Sequence, residues 1–222
     1  MPKTVWIIYP NYDYVRMFEE RGWEVITNKP KALHNNLLIQ FTGGSDVDPS
    51  IYGDNKHPKT FSDIDRDINE KGVFGFALSN EIPMAGICRG GQFLSAINGA
   101  RLYQDVDGHA INGTHEVIDK WTRKTYSVTS THHQQIKLNF HLEHILIAYA
   151  EKISSYKEFY PKSSPDKGIQ RVTNDKIDVE CLFYPKSKSL CFQPHPEFDN
   201  AEECRDMYFD YIKRYCFNGE EI

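Results

Sequence analysis

A cysteine between two glycines has the sequence context of a catalytic nucleophile. The segment Met84–Leu94 reads MAGICRGGQFL, with Cys88 two residues after Gly86 and two residues before Gly90. An apolar stretch precedes the cysteine and a stretch with helical spacing follows it, which predicts a tight strand-to-helix turn at Cys88. Such a turn exposes its central side chain at the sheet edge, where the helix N-terminus stabilises a thiolate. The five-residue pattern also fits a structural cysteine in a glycine-rich turn.

A histidine and a glutamate near the end of the chain could serve this thiol. His195 lies between two prolines in the segment QPHPEF, directly after an apolar strand that the prolines prevent from continuing. Glu197 follows two residues later, and residues two apart in an extended segment point to the same side. A thiol nucleophile needs a base, and the base needs a group that orients it. Cys88, His195 and Glu197 are therefore the candidate catalytic residues.

Acyl transfer to a thiol also needs N–H donors for the oxyanion. The amide of Arg89, at the start of the predicted helix, is one candidate. The segment FTGGSDVDP also follows an apolar strand, and its glycines would let backbone N–H groups approach a substrate closely. Taken alone, this second segment is equally consistent with an ordinary turn.

The remaining histidines and cysteines do not predict a metal site, and we expect no metal or cofactor. His132 and His133 are adjacent, while His141 and His144 lack a third ligand nearby in the sequence. Four other histidines are interpreted as surface or local hydrogen-bonding residues: His34, His57, His109 and His115. The five cysteines contain no C-x-x-C pair, so neither a zinc site nor a disulfide framework is predicted.

These residues must be positioned by strands and helices that alternate in the first half of the chain. Apolar strands are predicted at 4–10, 24–28, 36–44 and 82–88, and helices at 14–22, 63–80 and 90–99. Gly22 would close the first helix in a left-handed conformation. The alternation predicts an α/β fold, doubly wound, with a mostly parallel central sheet and helices on both faces.

The second half predicts a small antiparallel extension of this sheet. Short strands are expected at 101–106, 114–119, 124–130, 144–151, 179–185 and 189–195. The last two would form a hairpin around the segment KSKS. A final helix is expected at 200–215, with Asp199 or Asn200 as its cap.

Length and composition fit one soluble domain over residues 1–222. The 31 acidic and 26 basic residues give a net charge of −5, which disfavours a nucleic-acid partner. No segment reads as a signal peptide or a membrane span, so we expect a cytoplasmic protein that does not bind a membrane.

Five segments together resemble the class I glutamine amidotransferases. They are, in order, GGSDVDPSIYGD, DIDRDINE, PMAGICRGGQFLSAINGARLYQDV, SVTSTHHQQI and CFQPHPEF. The set is most similar to the free-standing γ-glutamyl hydrolase branch, which includes γ-glutamyl-γ-aminobutyrate hydrolases. The resemblance covers about residues 38–198 and implies a flavodoxin-like fold. It also implies a reaction that needs neither a metal nor a cofactor.

The resemblance also implies a role for each motif residue. Cys88 would be the nucleophile, His195 the general base and then acid, and Glu197 the residue that orients His195. Gly44 and Arg89 would supply the oxyanion N–H groups.

Further residues would shape the pocket for a γ-glutamyl group. Gly43 would shape the oxyanion loop, and four residues would line the substrate pocket: Gln92, Thr131, His132 and Gln134. Gly91 stands where many relatives carry a larger residue, which implies a wider pocket.

The implied reaction is hydrolysis of glutamine or of a γ-glutamyl amine through a γ-glutamyl thioester. Three hypotheses remain open. The first is a free-standing γ-glutamyl hydrolase. The second is a glutaminase subunit that delivers ammonia to a separate synthetase or ligase chain. The third is an inactive member of the fold that only binds.

Overall fold

A nine-stranded sheet forms the centre of the computed structural model, which describes residues 3–163 and 168–219. The strands are, in chain order, β1 (Thr4–Ile8), β2 (Glu24–Ile26), β3 (Leu37–Phe41), β4 (Met84–Ile87), β5 (Arg101–Tyr103), β6 (Asp105–Val106), β7 (Ala110–Asp119), β8 (Thr125–Thr131), β9 (Gln135–Lys137), β10 (Ile145–Glu151), β11 (Lys157–Phe159), β12 (Gln170–Val172), β13 (Ile177–Tyr184) and β14 (Ser189–Phe192). The α-helices are α1 (Tyr12–Glu19), α2 (Ile64–Ser79), α3 (Arg89–Ile97) and α4 (Glu202–Tyr211).

The central sheet is half parallel and half antiparallel. Its strand order is β2-β1-β3-β4-β14-β13-β10-β7-β8, and the strands from β2 to β14 pair in parallel. The predicted hairpin is present, and it reverses the chain between β13 and β14 through a short 3₁₀ turn at Pro185–Ser187. Because β10, β7 and β8 continue outward from β13 in antiparallel pairs, the antiparallel part is larger than the small extension we expected.

Helices cover both faces of the sheet, which confirms the predicted α/β layering. In β1, Val5 and Ile7 contribute to the core that contains α1 and α4, whereas Trp6 and Ile8 belong to the core that contains α2 and α3. This split follows from the period of two along a strand, which sends alternate side chains to opposite faces.

Element ends differ from the prediction where tertiary contacts decide them. Helix α4 begins at Glu202, with Ala201 at the N-cap, so the expected capping by Asp199 or Asn200 is wrong. The Asp199 carboxylate instead pairs with Arg16 at 2.6 Å, and Asn200 adopts a left-handed conformation with φ of 57°. Gly22 has φ of 76°, as predicted for the end of α1.

None of the helices in the described part of the chain combines the length and the apolar character that crossing a membrane requires. The expectation of one domain over residues 1–222 stays a prediction.

Candidate active site

Cys88 lies at a strained turn between β4 and α3. It has φ of 49° and ψ of −112°, a conformation that side chains other than glycine rarely adopt. A Cβ atom at Gly86 would overlap the backbone of Gly90, and one at Gly90 would overlap the carbonyl of Phe41. The two glycines therefore let the helix start directly above the ends of the strands, as a nucleophile elbow requires.

Gly91 does not widen a pocket, contrary to the expectation from the sequence. A Cβ atom there would lie 2.9 Å from the amide nitrogen of Phe192 and 3.0 Å from the carbonyl oxygen of Gly86. The position faces the backbone of β14, so a larger residue would require α3 to move away from the sheet.

The segment after β14 brings His195 beside the elbow. Strand β14 pairs in parallel with β4, and the Cys88 amide donates a hydrogen bond to the Phe192 carbonyl at 2.8 Å. The carboxyl ends of the two strands therefore meet at one edge of the sheet. His195 is then fixed from β8, because its amide donates to Thr129 Oγ1 at 2.7 Å and its carbonyl accepts from the same hydroxyl at 3.2 Å.

Helix α4 holds the other side of this segment. Arg205 donates from Nε to the Pro196 carbonyl at 3.0 Å and from Nη2 to the Phe198 carbonyl at 2.9 Å. The Phe198 ring stacks on the His195 imidazole, with 4.5 Å between ring centroids. The sequence did not predict the contribution of Arg205.

Cys88, His195 and Glu197 come together as a buried cluster. Their exposed fractions are 8%, 8% and 3%. His195 Nδ1 lies 2.6 Å from Glu197 Oε1. Burial lowers the pKa of His195, but the charge of Cys88, its hydrogen bond with the ring, and Glu197 outweigh burial and raise that pKa to about 10. The arrangement therefore favours an imidazolium at His195, held beside Cys88 and the Glu197 carboxylate.

Helix α2 fixes the predicted oxyanion loop. Arg66 donates to the Gly43 carbonyl at 3.0 Å and to the Thr42 carbonyl at 2.9 Å. Gly44 has φ of 144°, and a Cβ atom there would overlap the Arg66 guanidinium. The backbone conformation at this position favours glycine, and a side chain there would have to displace the Arg66 guanidinium.

The same helix also anchors the elbow. The Arg89 guanidinium is fully buried and pairs with the carboxylates of Asp67 and Glu70. Glu70 also accepts from Arg66 Nε at 2.9 Å, and Asp67 accepts from the Asp48 amide at 2.8 Å. The side chain of Arg89 thus points to α2, while its backbone amide stays at the start of α3. The DIDRDINE motif was recognised in the sequence, but this clamping role was not.

Tyr14 is a further residue of the site that sequence reasoning missed. Its buried hydroxyl accepts a hydrogen bond from the Gly43 amide at 2.9 Å. Since that amide is occupied, Gly44 remains as the candidate oxyanion donor from this loop. The only signal in the sequence was that Tyr14 follows β1, whose carboxyl end lies at the same edge of the sheet as β4.

Three of the four predicted pocket residues are buried together. Gln92 Nε2 donates to the Gln134 carbonyl at 2.9 Å and to Gln193 Oε1 at 3.1 Å. His132 Nδ1 lies 2.9 Å from the same Gln134 carbonyl. Thr131 differs, because its side chain is exposed at the end of β8.

Several buried polar atoms of this group have no protein partner. They are His132 Nε2, Gln134 Oε1 and Gln193 Nε2. Burial and the neighbouring His109 lower the pKa of His132 well below its ordinary value, so its ring is neutral near pH 7. With Nδ1 donating to a carbonyl, His132 Nε2 is a hydrogen-bond acceptor. Gln193 was not predicted, although it lies two residues before His195.

A second cluster behind this pocket contains atoms that could hold a metal ion. His109, His115 and Glu180 each offer a ligand atom, and these atoms lie within 4.8 Å of one another. Each residue has at least one protein partner, although His115 Nδ1 and Glu180 Oε2 have none: His109 contacts Ser130 at 3.1 Å and Asp178 at 2.9 Å, and His115 contacts Glu180 at 3.2 Å. We therefore interpret the cluster as a buried hydrogen-bond network. The interpretation as a surface or local hydrogen-bonding residue is wrong for His109, which is fully buried and bonds to residues distant in the sequence.

Comparison with known proteins gives a family for most of the chain. The model of the Peptidase C26 family matches residues 30–197. NtpR of Enterococcus hirae is 32% identical over 192 residues, which cover 77% of this chain and 71% of that protein. The glutamine amidotransferase-like protein YvdE of Lactococcus lactis is 31% identical over 157 residues, covering 59% of this chain and 66% of YvdE. The match thus spans slightly less than two thirds of YvdE.

Solved structures share the fold at low sequence identity. A glutamine amidotransferase from Thermotoga maritima superposes with a TM-score of 0.57 at 17% identity, covering 99% of this chain and 91% of the other. A GMP synthase subunit from Thermoplasma acidophilum gives 0.57 at 16% identity, covering 99% and 96%. These likenesses confirm the predicted flavodoxin-like fold.

Proposed function

Because the chain belongs to the Peptidase C26 family, within the class I glutamine amidotransferase-like superfamily, we propose a hydrolase function for it. The specific proposal is a free-standing γ-glutamyl hydrolase. The family and the relatives support hydrolysis of glutamine or of a related γ-glutamyl amide. The finer proposal is that Cys88 carries the reaction through a thioester. The observation that supports it most is the strained Cys88 beside the His195–Glu197 pair in a single chain.

In the first half of the proposed reaction, the Cys88 thiolate attacks the γ-carbonyl carbon of the substrate. The oxygen becomes an oxyanion, which the amides of Gly44 and Arg89 stabilise. The C–N bond then breaks, and the leaving amine takes the proton of the His195 imidazolium. The product of this step is a γ-glutamyl thioester on Cys88 and a free amine.

In the second half, neutral His195 removes a proton from water, which attacks the thioester carbonyl. The C–S bond breaks, glutamate leaves, and the thiolate and imidazolium are restored. Glu197 stabilises the imidazolium throughout by accepting from Nδ1. No step of this scheme calls on a metal or a cofactor.

We propose that the buried acceptors and donors behind the elbow bind the glutamyl head group. His132 Nε2 can accept from an α-ammonium group, whereas Gln193 Nε2 can donate to an α-carboxylate. Gln92 and Gln134 brace this region through their mutual hydrogen bond. The exposed side chain of Thr131 argues for a minor role.

A glutaminase subunit is the second candidate function. The likeness to the Thermoplasma acidophilum protein favours it, because that protein is named as one subunit of a GMP synthase. A chain of this kind would need a separate synthetase or ligase chain to accept ammonia. A third hypothesis, an inactive binding protein, is disfavoured by the intact Cys88, His195 and Glu197.

The test is glutamate release by the purified chain alone. Glutamine and a panel of γ-glutamyl amines are the substrates, and Cys88→Ala is the control. We expect turnover by the wild-type chain on at least one γ-glutamyl amine and none by C88A. Absence of turnover on every substrate would contradict the free-standing hydrolase, and turnover that appears only with a synthetase chain would favour the glutaminase subunit.

A further inference from the structure

We propose that the hydroxyl group of Tyr14 is a positioning element that ties the oxyanion loop at Gly43 to the carboxylate of Glu197. This inference rests on the proposed function, because it assigns a role within the same site. Tyr14 is well placed for it, since it lies in the first turn of α1 and its amide is capped by Asn11 Oδ1 at 3.0 Å. The residue is therefore anchored at a helix start.

The hydroxyl keeps its proton. Its side chain is 3% exposed, and burial together with the nearby Glu197 raises the pKa of the Tyr14 phenol far above its ordinary value. A neutral phenol can accept one hydrogen bond and donate another. The oxygen already accepts from the Gly43 amide at 2.9 Å, so its own proton remains to be donated.

Glu197 is close enough to the phenol to raise its pKa, which places a carboxylate acceptor beside that proton. One carboxylate oxygen, Oε1, is engaged by His195 Nδ1 at 2.6 Å, whereas Oε2 is buried and has no hydrogen-bond partner. A donor at Oε2 would satisfy a buried charge that is costly to leave unpaired. It would also stop the carboxylate from rotating away from His195.

Close packing makes the position of the hydroxyl matter. A Cβ atom at Gly43 would lie 3.0 Å from the Tyr14 oxygen and 3.1 Å from His195 Cε1. The loop, the phenol and the imidazole therefore fit together without room for a further side chain. One hydroxyl would link the loop that binds the oxyanion to the acid that supports the base.

The variant Tyr14→Phe removes this hydroxyl and little else. Tyr211→Phe is the matched control, because Tyr211 also donates to a buried carboxylate, that of Asp119, at 2.8 Å. We expect Y14F to lower kcat roughly tenfold with KM within about twofold, the size of one hydrogen bond to a charged group. We expect Y211F to change neither constant by more than about twofold, and melting temperatures report how much stability each variant loses.

A second measurement needs no turnover. The rate at which iodoacetamide alkylates Cys88 is followed against pH, and its alkaline step reports the pH at which the imidazolium loses its proton. Without the phenol as a donor, Glu197 becomes a stronger base, and the imidazolium keeps its proton to higher pH. The step should therefore move upward by roughly half a pH unit or more in Y14F and stay in place in Y211F.

The alkylation profile decides the proposal. A Y14F profile that coincides with that of the wild type overturns the positioning role, whatever happens to kcat. A shifted profile supports the role even if the wild-type chain releases no glutamate from any substrate. In that case the proposed hydrolase function fails separately from the inference on Tyr14.

Discussion

At the scale of single residues, the reactivity that we propose for Cys88 depends on its surroundings rather than on its being a cysteine. Burial raises the pKa of the other four thiols, to about 12 for Cys216 and well above the ordinary value for Cys181, Cys191 and Cys204. Those thiols have no imidazolium beside them and pack in the core. Cys88 instead lies beside His195, at the edge of the sheet where ligands of α/β proteins bind.

The ion pair between Cys88 and His195 predicts a specific pH dependence of stability. Above about pH 6.5 the unfolded chain carries a neutral imidazole, whereas the folded protein keeps the imidazolium until about pH 10. Unfolding in this window releases a proton, so the free energy of unfolding falls as the pH rises. We expect a loss of about 2 kcal/mol between pH 8.5 and pH 10.5 relative to Cys88→Ala, measured by urea denaturation.

The control for this measurement is Ile147→Val, which removes one buried methylene of the core and no titratable group. I147V should lower stability by about 1 kcal/mol at every pH but keep the alkaline fall of the wild type. If C88A shows the same alkaline fall as the wild type, the raised pKa of His195 does not arise from Cys88.

At the scale of elements, α2 aligns the two loops that carry the proposed oxyanion donors. Arg66 binds the loop of Gly43 and Gly44, Arg89 anchors the elbow, and Glu70 contacts both guanidinium groups. The fully buried cation of Arg89 and the partly buried cation of Arg66 depend on the carboxylates of one helix. Breaking such a buried arrangement by removing one partner is costly because it leaves an uncompensated charge.

The variant Glu70→Gln tests this arrangement. It keeps the side-chain shape but removes the charge that balances Arg66 and Arg89, so we expect the free energy of unfolding to fall by about 3 kcal/mol. Asp65→Asn is the control, since Asp65 is exposed on the same helix and its loss should cost less than about 0.5 kcal/mol. Equal stabilities of E70Q and D65N in urea denaturation would contradict the clamping role of α2.

Local patterns made part of this site predictable from the sequence. The elbow at Cys88 follows from two glycines at a strand-to-helix junction, and the His195 segment follows from two prolines after a strand. Tyr14 and Arg205 could not be predicted, because their partners are fixed only when β1, β8 and α4 pack around the same edge. Tyr14 and Gly43 are 29 residues apart, and no periodicity encodes that contact.

Local sequence patterns also could not predict that His109 is buried. In the sequence, His109 precedes a strand that mixes polar and apolar residues. Such a strand does not indicate which of its two faces is buried. In the fold, β7 lies between β8 and β10, and the buried Asp178 and Ser130 form hydrogen bonds with the histidine in the interior. The burial of such polar residues depends on partners that are distant in sequence.

At the scale of the whole molecule, the two halves of the sheet contribute different parts of the site. The parallel half supplies the elbow and the glycine loop, where carboxyl ends of strands meet. The antiparallel half supplies Thr129, which holds His195, and the loop with His132 and Gln134. The antiparallel half is larger than the small extension predicted from the sequence. The sequences of short strands do not reveal whether those strands join the central sheet.

The most direct test of the account is covalent labelling of Cys88 by a glutamine analogue in which a chloromethyl ketone replaces the amide. We expect one label per chain, located on Cys88 by mass spectrometry, slowed by added substrate and absent in Cys88→Ala. Cys204, buried in the core, should remain unlabelled in the same sample. Labelling at another residue, or labelling of Cys88 that substrate does not slow, would contradict a γ-glutamyl site built around this thiol.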